Sequence, residues 1–128
     1  MNRNTCIAIL AAAMLSATTG ARAQPPADQP LFVFIYRAGP AWKPGVPMSR
    51  QGLGPHAAYM AKLQAEGRTV AAGPMLDADS GMMIVRAPNA EAARAIMAAD
   101  PSVTSGIFVV EMHPWEPRFG DGGLAIHH

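Results

Sequence analysis

Residues 31–37 read Leu-Phe-Val-Phe-Ile-Tyr-Arg, and their alternation decides the fold. Aromatic and β-branched side chains run throughout. Pro30 stands before them, and the stretch 38–47 (AGPAWKPGVP), which must be a loop, follows. These are the marks of a strand. Successive strand side chains point to opposite faces. Leu31, Val33 and Ile35 therefore share one face, and Phe32, Phe34 and Tyr36 the other. Both faces are apolar, and a strand of that kind needs cover on both sides.

Outward from this strand, a helix is expected to end at Glu66, with Gly67 as its C-terminal cap. Its start is open between Ser49 and Pro55. Residues 68–75 (RTVAAGPM) and 81–86 (GMMIVR) read as strands joined by the polar turn 76–80 (LDADS). Asn89 is a suitable N-cap for an alanine-rich helix over 90–99, closed by Asp100-Pro101. Residues 106–112 (GIFVVEM) form the last strand, and 113–128 read as a Pro/Gly-rich tail. The order β-α-β-β-α-β predicts an α+β, ferredoxin-like domain: a four-stranded antiparallel sheet with two helices on one face. The last strand and the Met82/Ile84 and Met83/Val85 alternation are also apolar on both sides. Two helices cover one face only, so a second copy of the sheet is the economical cover for the other, and a homodimer is expected.

The chain of 128 residues accommodates one such domain. Its beginning has another purpose. Arg3, the apolar run 6–17 and the ending Ala21-Arg22-Ala23 are the three parts of a secretory leader. The apolar run is far short of the roughly 20 residues of a membrane helix. Cleavage after Ala23 predicts a periplasmic or secreted protein, with 24–30 (QPPADQP) as a linker, 31–116 as the domain and 117–128 as a tail. Without residues 1–23, Lys+Arg falls from 10 to 8 against 9 acids, and net charge turns from +1 to −1. No basic run remains, which argues against a nucleic-acid partner and against a membrane surface after cleavage. The single cysteine, Cys6, leaves too, so the mature chain has neither a disulfide nor a thiol nucleophile.

Of the histidines outside the leader, His56 alone falls within the expected core region. Tyr59 and Met60 follow at i+3 and i+4 on one helical face that Leu63 continues. A histidine turned inward needs partners for its ring nitrogens. Asp100 is the candidate: a carboxylate would fix the tautomer and raise the basicity of the free nitrogen, making a general base. The competing reading is a histidine satisfied by a backbone carbonyl, with Asp100 capping a turn. Both helices are expected to start at the same edge of the sheet. On that geometry a helix beginning at Pro55 places His56 away from Asp100, and one beginning near Ser49 brings them together.

The ordered set Gly39-Pro40-Ala41-Trp42, Gly45, His56-x-x-Tyr59, Gly67, Ala72-Gly73-Pro74, Gly81, Asn89-Ala90-Glu91-Ala92-Ala93, Asp100-Pro101, Gly106-Ile107 and His113-Pro114-Trp115 resembles the YCII-related family of the dimeric α+β barrel superfamily. The resemblance spans residues 31–116. It implies a dimeric α+β barrel and a His/Asp active centre carried by His56 and Asp100. It further implies work on small ring compounds, dehydrohalogenation included. By this analogy Tyr36, Tyr59, Gly73 and Pro74 line the pocket.

Two function classes follow. One is a cofactor-free small-molecule lyase or isomerase using His56 and Asp100. The other is a non-catalytic small-ligand-binding or accessory dimer. No metal site is expected: His113, His127 and His128 lack an acidic partner at ligand spacing. The methionines read as core packing rather than a copper surface.

Overall fold

The computed structural model describes residues 27–120. The leader expected over 1–23, residues 24–26 of the linker and residues 121–128 of the tail lie outside the described residues. The elements are β1 (Leu31–Ala38), α1 (Gly54–Ala65), β2 (Thr69–Pro74), β3 (Ser80–Arg86), α2 (Ala90–Ala98), α3 (Pro101–Thr104) and β4 (Phe108–Trp115). This is the ferredoxin-like βαββαβ order with a 3-10 turn at Met48–Arg50 before α1 and one short helix added after α2. The sheet order is β2-β3-β1-β4, and every neighbouring pair is antiparallel.

β1 lies between β3 and β4, so its side chains set both faces. Phe34 stands opposite Met83 on one neighbour and Met112 on the other, and Tyr36 opposite Gly81 and Val110. Phe32, Phe34, Tyr36, Met83, Val85 and Phe108 form the core with Leu63 of α1 and Ala93 of α2. Each large apolar side chain buried there is worth about 1.5–3 kcal/mol. That burial holds α1 and α2 on the sheet. The opposite face has no helix among the described residues. Val33, Ile35 and Ile84 are half-buried there, while Met82, Val109 and Trp115 are exposed.

The last strand runs three residues beyond the expected Met112. His113, Pro114 and Trp115 belong to β4, not to the tail, because they pair with Val33, Phe32 and Leu31 at the start of the equally long β1. Pro114 is accommodated because β4 is an edge strand.

The helix directions also correct the sequence reading. α1 returns from the end of β1 and α2 from the end of β3. Since β1 and β3 are antiparallel, the two helices run in opposite directions. The first turn of α1 therefore adjoins the last turn of α2. α1 begins at Gly54, with Pro55 in the first turn, where its missing N–H is harmless. It ends at Gly67, whose φ of 72° suits the left-handed closing residue. There the Gly67 N–H donates to Gln64 O and the Arg68 N–H to Leu63 O.

The loop from β1 to α1 is pinned at both ends. The Gly39 N–H donates to Ile107 O at 2.8 Å. A Cβ at Gly39 would lie 2.4 Å from Gly106 O, so only glycine permits the approach. Further on, buried Gln51 donates through Nε2 to Lys43 O and Val46 O, each at 2.8 Å, and its Oε1 accepts the Lys43 N–H. Between these two anchors Trp42 packs on Phe108 with ring centroids 5.5 Å apart.

Candidate active site

His56 stands in the first turn of α1 and Asp100 just past the end of α2, brought together by the opposed helices. His56 Nδ1 is 2.9 Å from both Asp100 Oδ1 and Oδ2. Asp100 is buried, with 1% of its surface exposed. An ionised carboxylate only accepts hydrogen bonds. Nδ1 therefore carries the proton of the neutral ring, and Nε2 keeps its lone pair.

Asp100 has a second duty as the N-cap of α3. Its Oδ1 accepts the Ser102 N–H at 2.9 Å and the Ser102 hydroxyl at 2.8 Å. Burial pushes the Asp100 carboxyl up. Hydrogen bonds from His56 and from the Ser102 N–H and hydroxyl outweigh it, and the charge of His56 adds to them when the ring is protonated, so the net direction is down. The carboxylate stays ionised while nearly out of contact with water. Ser102 Oγ also lies 3.2 Å from His56 Nδ1, so three groups meet in one buried cluster. Ser102 was not singled out from the sequence. The available signal was Asp-Pro-Ser, in which an Asp caps a helical turn through the N–H two residues on.

Two rings flank the imidazole edge-on. The Tyr36 centroid is 5.6 Å from that of His56, and the Phe108 centroid 5.8 Å. The Tyr36 hydroxyl donates to Met83 Sδ at 3.9 Å. Burial, and after it the negative charge of Asp100, push this phenol up, so it stays protonated. Phe108 appeared in the sequence reading only as a strand residue. The loop anchored by Gly39 and Gln51 presses Trp42 on it and so fixes one wall beside His56.

His56, Tyr36 and Phe108 border a cavity of about 550 Å³ between α1 and the β2–β3 half of the sheet. Its size suits a small organic ligand. Gly73 and Pro74 of β2 line it as well. Tyr59 is placed elsewhere: its hydroxyl donates to Ile96 O at 2.7 Å, tying α1 to α2, and its side chain is not in the cavity wall. His113 lies on the helix-free sheet face. Its Nε2 is 2.7 Å from Glu111 Oε1, and Arg37 pairs with Glu111 at 3.3 Å. Among the described residues, no three His, Cys, Asp or Glu side chains gather as metal ligands would.

No curated protein sequence matches the chain. Among solved structures, it is similar to the 5-chloro-2-hydroxyhydroquinone dehydrochlorinase of Burkholderia phenoliruptrix AC1100 in complex with 2,5-dihydroxybenzoquinone. The match has 23% identity and a TM-score of 0.52, covering 66% of this chain and 93% of that one. At this identity the likeness is one of fold. The model of the YCII-related domain matches residues 31–116, the stretch from the first residue of β1 to just past the last of β4. The chain belongs to the YCII-related domain family.

Proposed function

We propose that this protein is an exported homodimeric enzyme that removes a proton from a small molecule without a cofactor, in an elimination or an isomerisation, with His56 as the base. One observation carries the reading: His56 Nδ1 is held by both oxygens of a buried carboxylate while the same side chain lines a cavity. Nε2 takes the proton. The electron pair left behind forms a new double bond and, in an elimination, expels the leaving group on the neighbouring carbon. In an isomerisation the imidazolium returns the proton at another position. Asp100 stabilises the imidazolium in either case. The name of the similar structure, a dehydrochlorinase, describes an elimination of this kind. Export is supported by the composition of residues 1–23, and the homodimer by the apolar, helix-free sheet face.

The first test is chloride release from 5-chloro-2-hydroxyhydroquinone, followed by ion chromatography, beside isomerisation of β,γ-unsaturated ketones. One of these probes is expected to turn over. His56→Gln should then slow it about 100-fold or more, as loss of a general base does, with an unchanged circular dichroism spectrum. Equal rates for wild type and His56→Gln remove His56 as the base. No turnover on either probe favours a ligand-binding dimer instead.

A further inference from the structure

We infer, resting on the reading of His56 as a base, that the substrate is an electrically neutral, polarisable π-system, such as a phenol, quinol or enone without a carboxylate, phosphate or ammonium group. The cavity wall contains no Asp, Glu, Lys or Arg among the described residues. The polar residues that line it besides Tyr36 and His56 are Gln64, Thr69 and Ser80, all uncharged. Three basic residues adjoin these walls in sequence, and each turns to a carboxylate: Lys62 and Arg68 to Glu66, at 3.9 and 3.4 Å, and Arg37 to Glu111 on the other sheet face, at 3.3 Å. An entering anion would give up its hydration with no cation to meet it, and the nearby ionic side chain of the cluster is the negative Asp100. A cation fares no better. Asp100 is buried, and both its oxygens already face His56.

The chemistry of the step points the same way. Proton transfer from a neutral substrate to His56 produces an imidazolium beside a newly formed anion, so the charge pair arises only as the reaction proceeds and stabilises itself. A substrate already anionic would become a dianion, and the single imidazolium would balance only one of its two charges. The apolar walls favour unsaturation. Met48 and Met60 contribute polarisable thioethers to the lining, and Tyr36 and Phe108 contribute rings.

The probes are 2,5-dihydroxybenzamide and 2,5-dihydroxybenzoate, which match in shape and differ in charge. Binding to the purified protein is measured by calorimetry and located by the NMR signals of the His56 ring. The amide should bind at least tenfold more tightly and move the His56 signals. Gln64→Lys, a change at an exposed α1 position in the cavity wall, should narrow or reverse that preference by supplying the missing cation. Equal or tighter binding of the benzoate overturns the inference, and so does failure of both to move the His56 signals. If the benzoate wins while His56→Gln still abolishes turnover, the neutral class falls and the base stands. If the amide wins while His56→Gln turns over unchanged, the base falls instead.

Discussion

Asp100 is at once the cap of α3 and the partner of His56, and the sequence reading treated these as competing roles. They coexist because a carboxylate has several lone pairs: Ser102 takes up Oδ1, and the imidazole reaches both oxygens. The depressed pKa of this carboxyl has a signed consequence. A group ionised more readily in the folded state stabilises the fold above its ordinary pKa and loses that contribution as pH falls through the folded value. The melting-temperature gap between wild type and Asp100→Asn should therefore be widest near neutrality and shrink below about pH 4. Calorimetric scans at pH 7 and pH 3 measure it, and a gap independent of pH would mean that the ionised form is not what the fold prefers. His56 and Asp100 were each legible as candidates from residue type and position. Their separation was not, because they stand 44 positions apart in the chain.

The ends of the elements, more than their middles, decide the site. Strand and helix periodicity placed all four strands and both long helices in the sequence. It could not say where α1 starts, because the loop before it holds proline and glycine without a clear cap, and Leu53 at the N-cap makes no side-chain hydrogen bond. Gly39 and Trp42 fix that loop against Ile107 and Phe108, and Gln51 ties the loop to itself. Gly39→Ala would drive a methyl group into Gly106 O and is expected to destabilise the protein by about 1–3 kcal/mol, the usual range for overpacking. Urea unfolding of the variant tests this. Stability equal to wild type would show that the loop is free to lift from β4.

At the scale of the whole molecule, the domain has one finished face and one unfinished. Helices cover Phe32, Phe34 and Tyr36, whereas Val33, Ile35, Ile84, Met82, Val109 and Trp115 meet no helix among the described residues. The charged group Arg37, Glu111 and His113 lies at one side of that open face. We propose that a second copy covers it. Light scattering should give the mass of a dimer for the wild-type protein and of a monomer for Ile35→Asp, since a carboxylate in a sheet-to-sheet interface loses hydration without a partner. A wild-type monomer at micromolar concentration would leave this face to another use.

The order of the elements, the two-faced strands and the chemical type of the candidate base follow from the sequence by itself, because alternation, caps and residue type are local properties. The sequence named Asp100 as a candidate partner of His56, but the geometry that lets them meet, the place of Ser102 beneath them and the uncharged cavity in front of them belong to the tertiary structure. They depend on the opposed directions of α1 and α2, and those directions are set by the antiparallel pairing of β1 with β3. No run of neighbouring residues encodes that pairing.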